Sequence, residues 1–437
     1  MRNSRHADLP LHIGTVPKWL ADRMMVMGTL ITESLIENFG MDEVLVRLSD
    51  PLWFQSFGAV MGMDWHSSGI TTSVMYALKR GLNARSKELG IYVCGGRGKY
   101  SRLTPDELIT IGDKTGLDGN ELVRNSKLVA KVDNNAIQDG FQLYQHNFIV
   151  TKNGNWAVVQ QGMNVNEKKA RRYHWCSSDL RSFVEEPHTG VVGDNRGKIL
   201  NLTDGDAGTA RSSILGLSIE HPEKVLTEIA QIGKPESEMI LMSGGKVDSI
   251  KKNTPIVQGS LFPEMEDAFP VGDDVSIQVG GRSIVMPAHH EVRAEDVDLK
   301  RLGGVLATAY ETQPKDFESL MLTPGLGPRT LQSLALVSEV IYGTPSRFND
   351  PARFSFAHGG KDGHPFPVPI KIYDESIRVL RESIEKSKLG YNDKSDCIKR
   401  LHQTALNFER NCAPEVDFDA AINYERSRSK DWDGRTV

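Results

Sequence analysis

The segment Pro324-Gly325-Leu326-Gly327-Pro328-Arg329-Thr330 packs two glycines, two prolines, a cation and a hydroxyl into a short stretch. The chemistry it offers is anion binding. Pro324 stops one helix, Gly325 and Gly327 permit a tight turn with positive φ, and Pro328 restarts a helix at its first position. Glycine at the cap supplies no side chain for the orphan amides. The N–H groups of Leu326, Gly327 and Arg329 are therefore expected to face outward at the positive end of a helix dipole. Such donors suit phosphate oxygens, with Arg329 adding a charge and Thr330 a hydroxyl. A contact of this kind holds a nucleic-acid backbone and does not read base edges.

Three other groupings carry chemistry. Lys168, Lys169, Arg171 and Arg172 run into Tyr173 and Trp175. Exposed, that run would let cations meet phosphates while aromatics stack on unpaired bases. The plainer alternative is a solvated basic helix end with two core aromatics. Asp133, Asp139 and His146 fall in one polar stretch and could ligate a divalent metal. Asp64 and His66, in Asp64-Trp65-His66-Ser67-Ser68-Gly69, could supply a nucleophile and base or simply form a capped turn. Gly95-Gly96-Arg97-Gly98-Lys99 lacks the spacing of a Walker loop.

The elements that must position these groups are legible in outline. Apolar spacing predicts a helix over 19–39. Ser49-Asp50-Pro51 opens another carrying Trp53, Phe54 and Phe57, and Thr71-Thr72 caps a third through Leu82. Lys152-Asn153-Gly154 between alternating Phe148, Val150, Trp156 and Val158 predicts a β-hairpin. A second hairpin is expected at 275–286 around Gly280-Gly281. In the C-terminal part, Pro314 is a plausible first helical position, followed by the Phe317, Leu320 and Met321 stripe. Leu331, Leu334, Val337 and Ile341 form the buried face of the helix after Pro328. The resulting fold class is α+β. Residues 1–215 are expected to form a mixed domain with β-hairpins, 216–290 a connecting helix, loop and β-hairpin, 291–412 a mainly helical domain with the glycine hairpin, and 413–437 a disordered polar tail.

Leu322-Thr323-Pro324-Gly325-Leu326-Gly327-Pro328-Arg329-Thr330-Leu331 resembles the helix-hairpin-helix of DNA repair enzymes, which runs Leu-x-Pro-Gly-Val-Gly-x-x-Thr-Ala. In glycosylases bearing that motif, a Gly/Pro-rich loop and an aspartate follow the hairpin. The resemblance implies that Gly359-Gly360-Lys361 through Pro369 is that loop and that Asp374, opening a helix over 375–387, is the catalytic carboxylate. The lyase lysine of the bifunctional members is replaced by Arg329, which cannot form a Schiff base. The site would then use water, or another lysine such as Lys361 or Lys371. Across most of the chain, several phrases are similar to an uncharacterised prokaryotic family, domain-of-unknown-function family 763. They include Asp64-Trp65-His66-Ser67-Ser68-Gly69, Gln138-Asp139-Gly140, Gln160-Gln161-Gly162-Met163-Asn164, Arg171-Arg172-Tyr173-His174-Trp175 and Phe356-Ala357-His358-Gly359-Gly360-Lys361-Asp362-Gly363. That resemblance implies no activity.

Composition is that of a globular protein, 39% hydrophobic and 25% charged over 437 residues. A net charge of -5 argues against indiscriminate binding of polyanions while allowing a local site. No apolar run approaches the roughly 20 residues a membrane helix needs, and no signal-peptide core follows the N-terminus. A cytoplasmic location is expected. Three readings remain: a DNA repair or processing enzyme of glycosylase type, a non-enzymatic module binding DNA or RNA, and a metal-dependent nuclease. Only the last calls for a cofactor, a divalent metal.

Overall fold

The computed structural model describes residues 9–10, 18–63, 68–164, 167–232, 275–279, 282–286, 299–342, 344, 348–352 and 370–411. The class is α+β. In chain order, the short strand β1 (Leu9–Pro10) precedes α1 (Lys18–Phe39), α2 (Met41–Ser49), α3 (Pro51–Val60), α4 (Gly69–Ala84) and α5 (Ser86–Leu89). Then come β2 (Ile91–Arg97), α6 (Thr104–Thr115), α7 (Gly119–Lys131), a π-helical turn Val132–Ala136 and β3 (Ile137–Gln138). Strands β4 (Gln142–Thr151), β5 (Trp156–Asn164), β6 (Lys169–Cys176), β7 (Gly190–Val192) and β8 (Lys198–Asn201) follow, with α8 (Gly208–Ser218) and α9 (Pro222–Ile232) after them. The remainder is β9 (Val275–Val279), β10 (Arg282–Met286), α10 (Leu299–Thr312), α11 (Phe317–Met321), α12 (Pro328–Tyr342), β11 (Phe348–Asn349), α13 (Ile370–Lys386) and α14 (Tyr391–Asn411).

The β4–β5 hairpin forms as expected, and the strands of the second, β9 and β10, pair antiparallel with Arg282 opposite Val279, while Gly280 and Gly281 lie outside the described residues. In β4–β5 Gly154 turns at φ 90°, and the register sets Phe148 opposite Val158 and Val150 opposite Trp156. The pair sits inside an antiparallel sheet of order β1-β6-β5-β4-β2, with β7 also paired to β6. Alternation sends the two faces of this sheet into two separate cores. Phe148, Val150, Trp156, Val158 and Trp175 join residues of α6 to α8 and α10 to α12. Ile91, Val93, Ile149, Ala157, Val159 and Cys176 join α1 to α4 and, from the far end of the chain, α13 and α14. Boundaries near 215 and 291 are thus crossed by both cores. The reason is that each face of one central sheet must be covered, and the helices that cover it come from both halves of the sequence.

Helix starts differ from expectation where capping chemistry decides. Asp50 caps α3 as expected, accepting from Leu52 N at 2.8 Å and Trp53 N at 3.2 Å. Helix α4 begins at Gly69, so Thr71 and Thr72 lie inside it and do not cap it. Helix α11 begins after Asp316, not at Pro314. The Asp316 carboxylate accepts from Ser319 N at 2.7 Å, and Asp316 N donates back to Ser319 Oγ at 3.2 Å. Helix α13 starts at Ile370, which puts Asp374 in its second turn and not at its opening.

Candidate functional site

The glycine hairpin lies between α11 and α12, where it was expected. Gly325 alone adopts positive φ, at 81°, and Gly327 does not share it. The amide of Leu326 is spent inside the turn, donating to Thr323 O at 3.2 Å, so the expectation that it faces outward fails. The first amide of α12 to find an intrahelical acceptor is Leu331 N, which donates to Gly327 O at 3.1 Å. No hydrogen-bond acceptor is found for the amides of Gly325, Gly327 and Thr330 among the described residues.

The hairpin's carbonyls are engaged. Lys131 Nζ donates to Leu326 O at 2.7 Å, Asn135 Nδ2 to the same oxygen at 3.3 Å, and Gln138 Nε2 to Pro328 O at 2.9 Å. All three donors lie on or beside the π-helical turn after α7. The Leu326 side chain is buried in the core shared with α12, while Pro324 and Gly325 are exposed. Acceptors are thus tied back to the body of the protein at the same place where donors stay open. Lys131 contributes positive charge there. Its burial draws its pKa below that of an ordinary lysine.

The other predicted groups take different positions. Lys168 is exposed at a turn, and Lys169 pairs with Glu167 and Asp194 at 3.7 and 3.5 Å. Arg171, Arg172, Tyr173 and Trp175 are interior residues of β6, so they do not form an open strand-binding surface. Helices cover both faces of the sheet, and strand alternation sends Arg171, Tyr173 and Trp175 to one side and Arg172 to the other. Arg171 lies between two buried carboxylates, 2.8 Å from Asp139 and 2.9 Å from Asp350. Burial raises the pKa of Asp139 despite the nearby Arg171 charge. Arg172 meets neutral groups: His174 Nε2 at 2.8 Å, Gln55 Oε1 at 2.8 Å and Thr71 Oγ1 at 3.3 Å. With burial unopposed, its guanidinium pKa falls to about 9.

Asp133, Asp139 and His146 do not converge, and no group of three metal-ligating side chains is found among the described residues. Asp139 is bound to Arg171 and, at 2.7 Å, to Tyr173 Oη. His146 belongs to a neutral chain in which Ser126 Oγ lies 2.8 Å from Nε2 and Gln160 Oε1 lies 2.7 Å from Nδ1. Burial lowers its pKa. Gln160 Nε2 continues the chain to Asp133. Asp133 also accepts from Trp175 Nε1 at 2.9 Å and lies 2.5 Å from His188 Nε2. His188 was not among the residues singled out from the sequence. Its only signal there is an isolated Pro187-His188 in a loop. Asp64, His66 and Lys361 lie outside the described residues, and Asp374 is described only as a backbone position in α13.

No helix among the described residues is long and apolar enough to cross a membrane. A model of a protein family of unknown function, DUF763, matches residues 5–368. No curated protein and no solved structure matches the chain.

Proposed function

The chain belongs to the DUF763 family, whose description assigns no activity, and we propose from the hairpin's chemistry that it binds the phosphate backbone of nucleic acid, DNA in the first instance. One observation carries the reading. At the start of the 15-residue helix α12, the amides of Gly325, Gly327 and Thr330 have no acceptor among the described residues, whereas the carbonyls of Leu326 and Pro328 are held by Lys131, Asn135 and Gln138. Donors aligned with a helix dipole form an anion site. A phosphate seated there would contact main chain at Gly325 and Gly327 and side chains at Arg329 and Thr330. Such contacts fix the position of a nucleic acid without reading its sequence.

Fluorescence anisotropy with labelled duplex and single-stranded oligonucleotides tests this. Gly327→Ala is the informative variant, because the nearest atom to an added Cβ is Gly325 O at 4.0 Å, leaving the fold undisturbed. The methyl would stand where a phosphate approaches. We expect a loss of about 1–2 kcal/mol, roughly tenfold in affinity. Unchanged affinity in a folded variant would reject the hairpin as the contact.

A further inference from the structure

We propose that Asp133 and His188 form a general-base centre for phosphodiester cleavage. This deepens the backbone-binding reading and rests on it. Asp133 is fully buried in the π-helical turn, a local irregularity often found at functional sites. Its Oδ1 takes the Nε2–H of His188 at 2.5 Å, and its Oδ2 takes the donors of Trp175 and Gln160. The carboxylate therefore has all the partners it needs and fixes the imidazole as the tautomer with a bare Nδ1. The ring is held edge-on to Trp175, with centroids 4.7 Å apart, and Tyr173 lies beyond at 6.2 Å. The neighbouring backbone is anchored by Thr189 N donating to His174 O at 3.0 Å and Thr189 Oγ1 to Ser49 O at 2.8 Å.

The free nitrogen is the point of interest. His188 Nδ1 has no hydrogen-bond partner among the described residues, and the His188 side chain is 6% exposed. A buried aspartate bound to one ring nitrogen while the other has no partner is an arrangement by which an imidazole is oriented to take a proton. The link to phosphate esters is the π-helical turn itself. Asn135 of that turn, and Lys131 just before it, grip the hairpin, while Asp133 of the same turn grips His188. In the step, water attacks phosphorus as its proton passes to His188 Nδ1. The P–O bond to the leaving sugar oxygen breaks, and the imidazolium returns the proton to that alkoxide. Water is the only co-reactant consumed.

The test uses the full chain with end-labelled DNA and RNA oligonucleotides, with and without Mg²⁺, reading binding by anisotropy and cleavage on a denaturing gel. His188→Gln is expected to reduce cleavage about 100-fold or more while leaving affinity unchanged. His188→Gly with added imidazole should recover part of the rate, which a purely structural histidine would not. Asp133→Asn is expected to slow cleavage by mis-setting the tautomer. Should that variant fail to fold, His188→Gln still decides. Oligonucleotide bound but left uncut, or cut equally fast by His188→Gln, overturns the dyad and leaves the binding reading intact. Oligonucleotide neither bound nor cut overturns both.

Discussion

Gly325 and Gly327 look equivalent in the sequence but have separable roles. Gly325 sits at φ 81°, and an added Cβ there would come within 3.1 Å of Val305 Cγ2. Gly325→Ala should therefore destabilise the fold by about 1–2 kcal/mol, the cost of a left-handed non-glycine residue, visible as a lower midpoint in denaturant. Gly327→Ala should leave that midpoint unchanged. A second residue-scale expectation concerns pH. Burial holds His146 below the usual 6.5, and burial together with the Arg172 charge holds His174 well below it. Because the folded pKa values are depressed, the unfolded chain binds protons first. The histidines' contribution is complete above pH 6.5 and is lost as the pH falls from there toward their folded values, by up to about 1.4 kcal/mol per pH unit for each. Asp139, whose pKa is raised by burial, acts in the opposite direction over its own range. Denaturant titrations at pH 7.5 and 5.5 check this: stability should drop, and His146→Gln should drop less.

At the scale of elements, what the sequence revealed depended on how local the determining forces are. The β4–β5 hairpin was readable because Asn153-Gly154 and the alternation beside it carry the signal within a few residues. Helix α3 was readable because Asp50 and Pro51 are adjacent to it. Strand β6 was misread as a surface because its charge masked a period of two. The partners that allow Arg171 to be buried, Asp139 and Asp350, lie 32 and 179 residues away in sequence. His188 was missed for the same reason, its carboxylate being 55 residues distant. Asp350 gives a direct measure of such long-range pairing. It accepts two Arg171 donors as well as Arg196 N and Ala352 N, both at 2.9 Å. Asp350→Ala should cost about 3 kcal/mol or more, since it strands a buried guanidinium with one counter-charge fewer. Thermal or denaturant unfolding reads it out.

For the whole molecule, the shared cores make the two halves interdependent. Val379, Leu380 and Ile384 of α13 and Cys397 and Leu401 of α14 complete the apolar face of α1 to α4. Truncation after residue 369 should leave that face open, and the fragment 1–215 should lack the covering that α10 to α12 give the other side of the sheet. Both fragments are expected to bind a hydrophobic dye strongly and to lose cooperative unfolding. Cooperative melting of either would show that its core is self-sufficient.

The net charge of -5 makes salt dependence the sharpest test of the hairpin, because general surface attraction to a polyanion is not expected. The affinity of the full chain for duplex DNA should be measured across a series of salt concentrations. The logarithm of the association constant should fall linearly with the logarithm of salt concentration, and Arg329→Ala should make that slope shallower by roughly 0.9, one phosphate contact. No binding even at low salt, or an identical slope for Arg329→Ala, would contradict the assignment.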